Sequence, residues 1–86
     1  MAKRKQLLTE EERREMVRYI SETNEMGFPY TTLFAILRHN GFPNMRPSTF
    51  SRYLSGNIPG GNRDRVIIRA EQACRNFRAF YDSEMN

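Results

Sequence analysis

Two Gly-Phe-Pro triplets, at Gly27-Phe28-Pro29 and Gly41-Phe42-Pro43, decide what this chain can fold into. Glycine takes the left-handed backbone that ends a helix, and proline cannot continue one, so each triplet reads as a stop and a turn. Pro47 suits the first position of a further helix, where its missing N–H costs nothing. Together with the loop Asn57-Ile58-Pro59-Gly60-Gly61, these signals cut the 86 residues into four helix-length pieces. Each triplet follows one helical pattern and precedes another, so the pair is punctuation rather than a structural repeat. The expected fold is a compact all-α four-helix domain, with helices at roughly 9–24, 31–40, 47–55 and 62–82.

The first helix carries the most explicit start signal. Thr9-Glu10-Glu11-Glu12 is a capping box, with Thr9 as cap and Glu12 reaching back to it. Leu8 stands where it can staple onto the helix, and the acidic first turn followed by Arg13, Arg14 and Arg18 suits the helix dipole. Met16, Tyr19, Ile20 and Thr23 form one face, with Val17 beside it. The second helix, with Leu33, Phe34, Ile36 and Leu37, is apolar on two sides and is expected to be the most buried, ending at Gly41. In the third, Phe50 and Leu54 are four apart and face the core, which leaves Ser48, Thr49, Ser51, Arg52 and Ser55 on the other side. That helix has too little apolar surface to serve packing alone. On the last helix, capped by Asn62, the residues Val66, Ile67, Ala70, Ala73, Cys74, Phe77, Phe80 and Tyr81 fall within one arc of roughly 140°. Such an arc is wide for a helix that only covers a small core. Met16, Met26 and Met45 read as core or gap-fillers.

A domain of this size buries only roughly 60–65% of its unfolded surface, so a partner would add stability. With 38% hydrophobic residues and a mean hydropathy of −0.75, the chain reads as soluble and globular. No apolar run approaches the roughly 18–20 residues that span a bilayer. The basic start, Met1 to Gln6, is followed only by Leu7-Leu8, so no secretory signal is expected. Cys74 is the single cysteine, which points to a reducing, cytoplasmic setting, and its place on the apolar arc reads as inert packing. Catalysis finds no support, for there is no carboxylate pair in an apolar context, no Cys/His set spaced for zinc and no glycine-rich strand-to-helix loop. Neither cofactor, metal nor small-molecule ligand is expected. His39, near the end of the second helix, reads as a dipole partner or a surface residue.

The net charge of +4 is unevenly spread. Residues 1–25 carry six basic and six acidic side chains, and residues 71–86 carry two basic and three acidic. Between Met26 and Ala70 stand six arginines (Arg38, Arg46, Arg52, Arg63, Arg65, Arg69) against one acid, Asp64, a net of +5. Arginine presents a rigid donor fork suited to phosphate and to the O6/N7 edge of guanine, although charge alone equally describes a solvated basic surface. The third helix lies inside this stretch. Small polar residues at its N-terminal end, Ser48 and Thr49, let a backbone sit deep in the major groove, and Arg46 and Arg52 are long enough to reach base edges.

The run Ser48-Thr49-Phe50-Ser51-Arg52-Tyr53-Leu54-Ser55-Gly56-Asn57 resembles the recognition helix of helix-turn-helix DNA-binding proteins. It is similar to the Thr-Val-Ser-Arg-Val-Leu-Asn-Gly pattern of the lac repressor family, to small phage repressors and to the Ser-Thr-Leu-Tyr-Arg-Tyr stretch of DNA invertases. About ten residues match well and about twenty-five loosely. The resemblance implies that Thr49, Ser51 and Arg52 meet DNA, that Phe50 and Leu54 anchor the helix, and that the preceding helix, with Ala35 inside it, supports it. The connection departs from the family. Position 39 is His where a glycine is usual, and the turn from Gly41 to Arg46 is longer than three or four residues and carries Pro43.

Arg52 and Ser48 are therefore candidates for base contacts, Thr49 for a base or a phosphate, and Arg46 for a base, the backbone or a plain turn surface. Phosphate candidates are Ser51; Tyr30, Thr31 and Thr32 at the start of the second helix, where N-capping is the alternative; and Asn57, Arg63 and Arg65 beyond the third. Lys3, Arg4 and Lys5 form either a flexible basic arm along the DNA or a frayed terminus. Ile68, Phe77, Phe80 and Tyr81 are the expected dimer contacts, with Ile68 opposite the main arc. The whole chain, 1–86, is expected to be a single DNA-binding domain, with 1–6 as the arm and 62–82 as the dimerisation helix. The expected function is a transcriptional regulator of bacterial, phage or plasmid type: a repressor that binds a palindromic operator on double-stranded DNA as a homodimer, in the cytoplasm at the nucleoid. One alternative is a small phage- or plasmid-type protein-interaction module or inhibitor. Another is an accessory DNA-binding factor of recombination or plasmid maintenance.

Overall fold

A computed structural model describes residues 8–55 and 61–85, with side chains for 8–55 and 63–84. The described residues form four helices and no strand: α1 (Glu10–Met26), α2 (Tyr30–His39), α3 (Pro47–Ser55) and α4 (Gly61–Met85). The fold is all-α, as the punctuation of the chain implies. Boundaries move by up to three residues, and one of these shifts changes a role. Because α4 already includes Gly61, Asn62 sits inside its first turn and is not its cap.

The capping box of α1 is closed in both directions. Thr9 Oγ1 accepts from the Glu12 N–H at 3.1 Å, and Glu12 Oε1 accepts from the Thr9 N–H at 3.0 Å. Leu8 is buried, but its expected apolar staple is polar instead: Arg13 Nη2, one turn into the helix, donates to the Leu8 carbonyl at 3.1 Å.

Both Gly-Phe-Pro triplets build the same terminus. Gly27 and Gly41 take φ of +122° and +104°, which only glycine adopts readily. The Phe28 N–H then bonds the Thr23 carbonyl at 3.3 Å, and the Phe42 N–H bonds the Leu37 carbonyl at 3.0 Å. This six-to-one bond is the signature of a Schellman cap, in which an apolar residue after the glycine folds back on the helix it ends. Phe28 is accordingly buried and Phe42 half-buried. Past Phe42, the Met45 N–H bonds the Phe42 carbonyl at 3.1 Å, so Phe42-Pro43-Asn44-Met45 is a turn with proline in its favoured second place.

α1 and α4 run side by side in the same direction. Their N-terminal ends meet where Arg13 reaches Asp64, and their C-terminal ends where Arg78 donates to Thr23 Oγ1 at 2.8 Å and the Phe28 and Phe77 rings stack 4.8 Å apart. α4 is the central helix, burying Val66, Ile67, Ala70, Ala73 and Cys74 against the other three. α2 contributes Leu33, Phe34 and Leu37. Ala35, which the resemblance places inside the supporting helix, is exposed. α3 is held by Phe50, whose ring meets Phe34 edge-on at 5.1 Å and Tyr30 at 5.8 Å. Tyr53 is the second buried anchor of α3, and Leu54 is half-buried and packs against the same core. Tyr53 faces the turn at Phe42 and Met45, while Leu54 points to the start of α1 beside Val17.

Candidate nucleic-acid interface

Because Phe50 and Tyr53 hold the inner side of α3, Ser48, Ser51, Arg52 and Ser55 are all exposed and span about 100° of its outer side. This strip has no acid and no apolar side chain. Ser55 Oγ donates to the Arg52 carbonyl at 3.2 Å. Arg46, immediately before the helix, is exposed, and its carbonyl accepts the Phe50 N–H at 2.9 Å, which closes the first turn. Thr49 is half-buried and borders a shallow groove of about 260 Å³ with Gly41, Phe42, Pro43, Asn44, Met45 and Tyr53. It thus lies at the edge of the exposed strip rather than at its centre.

The single acid of the basic stretch is withdrawn from that surface. Asp64 is 1% exposed. Its Oδ1 accepts from Arg13 Nε at 2.9 Å and its Oδ2 from the Leu8 N–H at 3.1 Å. Burial pushes the Asp64 carboxyl up, but the bonds from Arg13 and Leu8 and the charges of Arg13 and Arg63 outweigh it, and the net direction is down. The carboxylate is therefore ionised yet neutralised from within. Arg38, Arg46, Arg52, Arg65 and Arg69 remain exposed around it.

Not every phosphate candidate is placed to act. The Arg63 side chain is only 12% exposed, with Nε 3.9 Å from Asp64 Oδ1, because its position on α4 turns it toward that buried acid. It does not project toward solvent as a backbone grip. Tyr30 packs its ring flat along Phe34 at 6.0 Å; burial is the main cause that raises its phenol, and the hydroxyl bonds Ser21 of α1. Tyr30 is thus a half-buried aromatic packed against the core. Thr31 and Thr32 are exposed, but the Thr32 and Leu33 N–H groups both bond the Pro29 carbonyl at 3.1 Å, so they are not free to meet a phosphate. Asn57, Lys3, Arg4 and Lys5 lie outside the described residues.

The expected dimer residues divide. Phe77 is half-buried under Phe28, and Tyr81 tilts against Phe77 at 5.8 Å, so both rings work within one chain. Phe80 is 63% exposed. Ile68, 38% exposed, lies about 120° around α4 from Phe80. It lines a separate open groove of about 360 Å³ with Arg65, Arg69, Asn40, Gly41 and Phe42. Sequence reasoning did not single out Arg69 or Asn40 as site residues. The available signal was the four-residue spacing of Arg65 and Arg69, which puts both on one flank of α4, beside its apolar arc.

Among the described residues, no three His, Cys, Asp or Glu side chains gather as a metal site, and no helix is long and apolar enough to cross a membrane. Burial, the main cause, pushes the Cys74 thiol up to about 11 despite a hydrogen bond with Thr23. Comparison with known proteins finds no matching family model, no curated relative and no similar solved structure.

Proposed function

We propose that this chain is a sequence-specific double-stranded DNA-binding protein that reads the major groove with α3. One observation carries the reading: the outer strip of α3 presents Ser48, Ser51, Arg52 and Ser55 to solvent without an acid or an apolar group, while Phe50 and Tyr53 fix the helix from behind. Small hydroxyl side chains permit close approach to base edges, and Arg52 supplies the fork that pairs with guanine O6 and N7. Ser48 sits one turn before Arg52 on the same strip and is the second base contact. Ser51 on the strip, with Arg46 and Thr49 at its edge, contacts the phosphates or the outer bases. α2 and α3 act as a helix-turn-helix unit with a lengthened turn. One short helix reads only about 4–5 base pairs, so the protein binds a palindromic operator as a homodimer and represses by covering a promoter.

Selection of bound sequences from random duplexes tests the reading directly. A palindromic consensus is expected, with half-sites about one helical turn apart. Arg52→Ala should cut the preference for that consensus over random DNA by roughly 5- to 150-fold, the worth of one bidentate base contact, with an unchanged melting temperature. A retained preference in the folded variant removes α3 from the role. The exposure of Phe80 favours a second reading, a protein-interaction module, which predicts no sequence preference at all.

A further inference from the structure

We propose that the outer face of α4 is a second DNA contact, which takes the sugar–phosphate backbone of the duplex that α3 reads. This inference rests on the DNA-reading role of α3. Arg65 and Arg69 stand one turn apart, both exposed, with Ile68 between them and the end of α2 as the opposite wall. Asn40, Gly41 and Phe42 complete the groove, and no carboxylate lines it. Arg69 Nη1 donates to Asn40 Oδ1 at 3.3 Å, a neutral acceptor that orients the guanidinium without cancelling its charge.

The other arginines of α4 are spent inside the protein. Arg75 pairs with Glu71, and Arg78 lies over the Tyr19 ring and 3.9 Å from Glu22. Arg63 approaches Asp64. Arg65 and Arg69 pair with no carboxylate among the described residues, and their sequence neighbour Asp64 is buried in its clasp with Arg13. Two uncancelled forks beside one exposed aliphatic group suit a deoxyribose-phosphate strand, which offers both charged oxygens and apolar sugar edges. Gly41 and Phe42 also line the groove beside Thr49, so the α4 surface is continuous with the N-terminal end of α3. The same charges argue against a second copy here. A two-fold contact through Ile68 would set Arg65 and Arg69 of one copy against those of the other.

The experiment is the salt dependence of binding to random-sequence duplex DNA between about 50 and 200 mM salt, alongside the preference for the selected consensus. In the double variant Arg65→Gln/Arg69→Gln, the slope of log affinity against log salt should shrink by about 1.8, roughly 0.9 per phosphate released, while consensus preference is retained. Arg65→Lys/Arg69→Lys should keep the full slope, since charge is what releases the counterions. A folded Gln variant with the wild-type slope overturns this inference, and so does an Ile68→Ser variant that turns a dimer into a monomer. Loss of preference in Arg52→Ala beside an unchanged slope in the Gln variant leaves α3 standing and removes α4. A wild-type chain that binds no duplex overturns the α3 reading itself, and this one with it.

Discussion

At the scale of single residues, the polar clasp around Asp64 does two jobs. It ties the start of α1 to the start of α4, and it takes the only acid between Met26 and Ala70 off the basic surface. Asp64→Asn takes from buried Arg13 the buried one of its two carboxylates, leaving exposed Glu10 at 3.3 Å, and removing one member of a buried pair typically costs about 3 kcal/mol or more. Urea unfolding at pH 7 should show that loss. The pH dependence has a definite sign. The Asp64 carboxyl sits lower in the folded chain than its ordinary value near about 4, so the stability it adds is complete above that value and lost as pH falls through the folded one. Wild type and Asp64→Asn should therefore keep their gap at neutral pH and converge only as pH falls below the ordinary carboxyl range. A constant gap between them from pH 7 downward would show that the clasp stabilises by shape alone.

The helix ends are where local sequence determined the structure most directly. Gly41 illustrates this, because a Cβ built there meets nothing within 4 Å, so its φ of +104° is the whole constraint. Gly41→Ala should cost roughly 1 kcal/mol in urea unfolding, and a neutral result would mean that the chain can leave α2 by another backbone path. The capping box and both Gly-Phe-Pro ends were legible because each needs only residues adjacent in sequence. The seating of α3 was not. Phe50 fixes one side of a nine-residue helix, and Tyr53 and Leu54 each lie about one turn further on. Tyr53 is buried beside the turn at Phe42 and Met45, a neighbourhood that only the fold assembles. Ala35 lies within α2 as the resemblance implies, and Leu33, Phe34 and Leu37 turn that helix so that the Ala35 side chain is outside. The groove at Arg65 and Arg69 forms only when Asn40 is brought to α4, a contact 29 residues apart in sequence.

Among the described residues, acidic and basic side chains concentrate on different surfaces. The exposed side chains of α1 are mostly acidic, with Glu10, Glu11, Glu12, Glu15, Glu22 and Glu25 against Arg14 and Arg18, whereas the turn, α3 and the start of α4 carry exposed arginines. Such a dipole turns the arginine side toward a polyanion during approach. Phe80 belongs to neither surface. It stands near the C-terminal end of α4, four turns beyond Arg65, with most of its area in water and no share in the core. A ring in that position adds little to the stability of one chain. If the proposed homodimer forms there, the wild type should sediment as a dimer at tens of micromolar, and Phe80→Ser should sediment as a monomer with an unchanged melting temperature. The variant should still bind a single half-site with wild-type preference but lose the gain from the second half of the palindrome, because that gain comes from linking two reading helices. A Phe80→Ser chain that remains dimeric moves the contact elsewhere. A wild-type chain that is monomeric both free and on its operator would leave α3 to read its few base pairs alone, with the arginines of α4 as its main source of further affinity.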